Sequence, residues 1–253
     1  MHLTIQQFLI VCPLVFIAGC IDAIGGGGGL ISLPAYLIAG VPTHMAIATN
    51  KLSSAAGTTI STGRFIKNKM INLKLAIPSV IAAMIGSAAG ANLSLRVDEK
   101  IMQYILLLIL PITAIIVLNK KLFPTNEDKE LIIDRRLYVT IIISALIIGM
   151  YDGFYGPGTG TFLIIAFTAV GKMNVLHANG QAKVINLTTN LTSLVVYLLN
   201  GQVVVLLGLA AAVCNMIGAY IGSGLALKKG MGIIRPAIIV VLILLALKVI
   251  GIY

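Results

Sequence analysis

The sequence reads as an all-α polytopic membrane protein made of two inverted-topology repeats, with broken or re-entrant helices at two glycine-rich stretches. Three observations carry this reading: an extreme apolar composition, an internal duplication, and loops whose charge changes between matching positions. Of 253 residues, 58% are hydrophobic and 10% charged, with mean hydropathy +1.04, whereas soluble domains carry about 25% charge. The apolar runs reach about the 20 residues a spanning helix needs, and strand-like alternation is missing, which argues against a transmembrane barrel.

The apolar segments fall at 7–22, 29–40, 44–65, 73–95, 101–118, 137–151, 160–171, 174–199, 203–227 and 234–252. The first two flank Gly25-Gly26-Gly27-Gly28-Gly29, and the pair 137–151 and 160–171 flanks the run from Asp152 to Gly160, which is similarly glycine-rich. Glycine is costly in a helix and leaves main-chain polar groups bare, so each run should break a helix. In a bilayer, such backbone survives only where protein or a water-filled cavity satisfies it. The flanking segments are short, so each pair is expected to form a re-entrant hairpin with its tip near the membrane midplane.

The duplication is visible at one offset. Met84-Ile85-Gly86-Ser87-Ala88-Ala89-Gly90 matches Met216-Ile217-Gly218-Ala219-Tyr220-Ile221-Gly222 at 216 − 84 = 132, Lys51 falls on Lys183 at the same offset, and Asp22 falls on Asp152 at 130. The small residues spaced four apart in the first pair suit close helix packing. The two repeats are expected to span 1–118 and 137–253, joined by 119–136, a strongly charged solvated linker.

Loop charge sets the orientation. Arg64, Lys67, Lys69 and Lys74 surround the loop after the third segment, but its counterpart Asn200-Gly201-Gln202 carries no charge. Matching loops of unlike charge should lie on opposite membrane faces, with the basic loop and the linker cytoplasmic. The formal charge of +10 is spread over such loops, so no nucleic-acid partner is expected. Cys12, Cys20 and Cys214 lie in apolar segments without metal spacing, so no metal or cofactor is expected. The N-terminus lacks the positive region of a cleaved signal.

Six of the eight acids lie in loops, leaving Asp22 and Asp152 at membrane depth in matching places. Ionisable groups there are costly, and the two are expected to couple transport to protons, or else to cap the broken helices. Lys51, Ser54, Thr58 and Ser61 occupy one helical face, as do Lys183, Asn186, Asn190 and Ser193. Cationic lysines, free glycine amides and half-helix N-termini near Gly28, Gly29, Gly158, Thr159 and Gly160 all favour negative charge. The expected cargo is a small anion, bound by these residues other than Ser61 and Ser193, which lie nearer the stripe ends, with Asn50 and Gln181 beside the lysines. GxxxxGK[ST], HExxH and GxSxG are absent, and neither glycine run fits GxGxxG after a strand, so no enzyme is expected.

At Ile21-Asp22-Ala23-Ile24, Ala48-Thr49-Asn50-Lys51-Leu52, the run Tyr151 to Gly160, and Gly180-Gln181-Ala182-Lys183-Val184-Ile185-Asn186, the chain resembles the sulfite exporter TauE/SafE family of membrane transporters. The resemblance spans both halves and implies a multi-pass protein of the bacterial cytoplasmic membrane that moves sulfite or organosulfonate-type anions. An anion channel, or a membrane scaffold without cargo, are the competing readings.

Overall fold

The computed structural model describes residues 3–102, 104 and 133–229. Most of the expected segment 101–118, all of 234–252 and most of the linker 119–136 lie outside the described residues. Eight helices are described in full: α1 (Ile5–Gly25), α2 (Gly29–Ile38), α3 (Thr43–Lys67), α4 (Leu73–Ser94), α5 (Arg135–Phe154), α6 (Thr159–Ile165, continued by a wider turn Ala166–Val170), α7 (Val175–Leu199) and α8 (Val205–Lys229). Another helix starts at Glu99. No strand occurs among the described residues.

Local chemistry sets the helix starts. Asn72 accepts a hydrogen bond from Lys74 N, Asp134 from Leu137 N at 2.7 Å and Asn174 from His177 N, so each supplies a partner to an orphan first-turn amide. Asp134, expected within the solvated linker, is thus the cap of α5, and Arg135 and Arg136 already belong to that helix. Asn68 and Asn200 end α3 and α7 in the same way, each returning its carboxamide to a carbonyl four residues back.

Five of the helices, α1, α4, α5, α7 and α8, are long and apolar enough to cross a bilayer. The exposed faces repeat with the sequence: Ile77, Ile81 and Ile85 on α4 occupy the same places as Leu209, Val213 and Ile217 on α8. With no water to drive them inward, these side chains form a lipid-facing stripe. α3 has the 25 residues to cross but is too polar to count with them, and much of that polarity, at Asn50, Lys51, Ser53, Thr58, Ser61 and Thr62, is buried against protein.

Each glycine-rich run is the tip of a helical hairpin. Gln7 Nε2 on α1 donates to Ala39 O at the end of α2, and Leu137 on α5 lies against Gly171 beyond α6, so the arms run side by side and the chain returns to the end from which it came. The tips meet: Thr161 Oγ1 donates to Gly25 O at 3.1 Å, and Gly26 packs on Gly160 and Thr161.

The small-residue motifs explain how the halves are joined. Gly86 and Gly90 of α4 press on Leu146 and Met150 of α5, while Gly218 and Gly222 of α8 press on Phe16 and Cys20 of α1. These are matching contacts, and they make the two largest helix interfaces. They also fix direction, since rising numbers on one helix meet rising numbers on its partner: α1 is parallel to α8 and α4 to α5. Asp22 meets Lys183 while Ile24 meets Asn179, so α1 is antiparallel to α7. Gly149 meets Thr189 and Gly153 meets Tyr197, so α7 is parallel to α5. α1 and its counterpart α5 therefore run in opposite directions.

Candidate functional site

Both membrane-depth acids lie in the last turn of a helix, where burial and the helix's negative end each oppose a carboxylate. A lysine from the other half answers each one. Lys51 Nζ on α3 is 2.9 Å from Asp152 Oδ2 on α5, and Lys183 Nζ on α7 is 2.9 Å from Asp22 Oδ2 on α1. Lys183 Nζ also bonds Asp22 O, which accepts from Gly26 N as well where α1 stops.

The broken ends are otherwise satisfied from across the molecule. Asn179 Nδ2 donates to Ile24 O at 2.8 Å, and Tyr197 OH donates to Gly153 O at 2.8 Å. The acids reach forward as well: Asp22 Oδ1 accepts from Gly28 N at 3.3 Å, and Asp152 Oδ1 accepts from Thr159 Oγ1 at 2.7 Å. Each carboxylate therefore ties a helix end to the helix that follows it while pairing with a lysine. Gly156 must be glycine here, with φ +101° and a Cβ that would fall 2.8 Å from Lys51 Nζ.

Between the hairpin tips lies a cavity of about 30 Å³, lined by polar groups of both halves. At about 10–15 Å³ per water it has room for two waters or one compact oxyanion. Most of the expected binding residues meet there: Asp22, Gly28, Gly29, Asn50, Lys51, Ser54, Thr58, Asp152, Gly158, Thr159, Gly160, Asn186 and Asn190. Two do not line it. Lys183 stands behind Asp22, and Gln181 is fully buried with both amide atoms unbonded. His44 and His177 sit in the first turns of α3 and α7, with His44 Nε2 against Ser94 O and His177 Nδ1 against Asn174 Oδ1.

One polar side chain of the lining was not expected. Asn215 of α8 reaches the cavity between α1 and α3, where the absent side chains of Gly19 and Gly57 leave space; a Cβ at Gly19 would lie 2.8 Å from Asn215 Oδ1. A lone Asn in the middle of an apolar span was its only signal in the sequence, because its counterpart at the repeat offset is Ala83. The side chains of Asn186, Asn190 and Asn215 are 5–6% exposed and make no hydrogen bond within the described residues. Buried carboxamides left open in this way are a costly arrangement unless a ligand or water completes it.

A family model described as sulfite exporter TauE/SafE matches residues 11–249. The probable membrane transporter protein YfcA of Escherichia coli strain K12 is 34% identical, with 97% of this chain and 93% of that protein aligned. A probable membrane transporter protein of Haemophilus influenzae is 34% identical over 99% and 97% of the two chains, and YdhB of Bacillus subtilis, also described as a probable membrane transporter protein, is 25% identical over 85% and 87%. No solved structure matches.

Proposed function

Because this chain belongs to the sulfite exporter TauE/SafE family of membrane transporters, we propose that it is a secondary transporter for a small sulfur-containing oxyanion or organosulfonate-type anion, working as two inverted-topology repeats. It is a multi-pass protein of the bacterial inner membrane. The observation that carries the reading is the polar cavity at the hairpin tips, where helix breaks and paired charges from both halves converge with unbonded carboxamides. Inverted-repeat transporters place substrate at the repeat interface near the midplane.

The opposed directions of α1 and α5 support two inverted repeats, 1–118 and 137–253, joined by a cytoplasmic linker. Rocking of one repeat against the other would then expose the cavity to each side in turn. Asp22 and Asp152 are the proposed proton-coupling groups. Each is held by a lysine whose grip depends on the carboxylate's charge, so protonation would release the lysine and loosen one half from the other.

The test is uptake into proteoliposomes of sulfite, thiosulfate, sulfate, sulfoacetate and taurine, with and without a pH gradient. Saturable flux of one of them, with counterflow, is the expected result. Flux that does not saturate would make the protein a channel, and no flux of any would leave it without the proposed cargo.

A further inference from the structure

We infer that the cavity takes its cargo as a compact, singly charged anion, held by carboxamides, hydroxyls and backbone amides rather than by a free cation; this rests on the transport reading above. The charged groups at the cavity are Asp22 of α1, Lys51 of α3 and Asp152 of α5, with Lys183 of α7 behind Asp22. α2, α4, α6 and α8 contribute no charged residue to it. Each lysine is bonded to an aspartate of the other half at 2.9 Å. The four charges sum to zero, so neither ammonium offers a ligand uncompensated charge.

The rest of the lining is neutral. Asn186, Asn190 and Asn215 present unbonded carboxamides, Asn50 keeps its amino group free while its Oδ1 accepts from Ser54, and Thr58 adds a hydroxyl. A carboxamide can donate two hydrogen bonds to an oxyanion and bring no net charge. Doubling an anion's charge raises its desolvation cost about fourfold but its gain from neutral donors only about twofold. A neutral donor cage therefore prefers the monoanion. The volume, near that of two waters, limits the cargo to a few heavy atoms.

The experiment is titration calorimetry on the purified full-length protein, with ionic strength held by a bulky organic salt. Nitrate serves as a probe that stays singly charged, sulfate as one that stays doubly charged, and sulfite as one that changes between the two forms with pH. Nitrate should bind at least tenfold more tightly than sulfate. Affinity for total sulfite should fall by about tenfold per pH unit once sulfite loses its second proton, while nitrate stays flat.

Sulfate binding as well as nitrate, or sulfite affinity rising with pH, would overturn the inference and leave anion transport intact. A parallel loss of nitrate would place the titration on the protein and overturn it too. Failure of all three anions to bind at any pH would remove both this inference and the reading it rests on. Asp22→Asn leaves Lys183 unpaired and should narrow the nitrate-to-sulfate ratio, whereas Asn190→Ala should weaken both probes by a similar factor. An unchanged ratio in folded Asp22→Asn counts against the inference, and if that variant does not fold, the pH series on the unmodified protein decides.

Discussion

The two ion pairs of the cavity are copies in sequence and differ in their surroundings. Asp152 is 4% exposed, takes a short hydroxyl bond from Thr159, and pairs with a lysine that is itself 2% exposed. Asp22 is 23% exposed and has only the longer bond from Gly28 N, because its own half places Gly29 where the other has Thr159. The side of the cavity bordered by α1, α3 and α8 carries Asn215, where the matching place between α5, α7 and α4 holds Ala83 and Thr189. A duplicated frame thus carries one tight pair and one wetter pair. An alternating carrier needs such inequality in any single state, because only one side can be open at a time.

The widest separation the comparison predicts is in membrane sidedness. Cysteines introduced at Asn68 and Asn200, the exposed matching ends of α3 and α7, should be modified by an impermeant thiol reagent from opposite faces of the membrane, each wholly from one side. Modification of both from the same face would break the inverted arrangement, and with it the equivalence of the two pairs.

Next in size is stability. Lys51→Met strands Asp152 in a dry site and should cost about 3–5 kcal/mol, read as a clear drop in melting temperature in detergent. Lys183→Met leaves Asp22 with some access to water and should cost less. The double variant Lys51→Met/Asp152→Asn removes both charges and should recover much of the loss. Equal melting temperatures for the two single lysine variants would show that the difference in exposure has no energetic weight.

The acids should then agree in coupling and differ in expression. Asp22→Asn and Asp152→Asn keep the shape of the side chain but not its charge, so anion exchange should survive in both while acceleration by a pH gradient is lost. Asp152→Asn should also express less well, because it leaves Lys51 charged and unpaired in a dry site. Flux that responds to the gradient as in the unmodified protein would assign the two acids to tying helix ends together.

Much of this site was legible before any coordinates. Glycine runs that no helix tolerates, two acids that no bilayer tolerates, and lysines at the same offset pointed to residues that, Lys183 apart, now surround one cavity. Which acid meets which lysine was not legible. A two-fold relation is satisfied equally by pairs within a half and by pairs across halves, and only the meeting of the hairpin tips selects Asp22 with Lys183 and Asp152 with Lys51. Polar stripes likewise place Lys183 and Asn186 on one face without saying which of them a carboxylate will cover. Asn215 was hidden for a different reason: reasoning from duplication weighs residues that occur twice, and this one has Ala83 as its counterpart.

That single-copy residue gives the smallest and most specific prediction. Asn215 makes no hydrogen bond within the described residues and lines only the wetter side of the cavity, so its contribution should appear in ligand affinity and scarcely in folding. One neutral hydrogen bond is worth about 1 kcal/mol, so Asn215→Ala should weaken anion binding about fivefold and leave the melting temperature nearly unchanged. The reciprocal change Ala83→Asn should not create a second site. Ala83 already lies 3.3 Å from where a Cβ on Gly149 would stand, and Thr189 occupies the place that Gly57 leaves open on the other side. A carboxamide there would have to displace packed atoms, so the variant should lose stability without gaining affinity. If Asn215→Ala binds anions as tightly as the unmodified protein, the notch formed by Gly19 and Gly57 is a packing feature, and the inequality of the two sides rests on the aspartates alone.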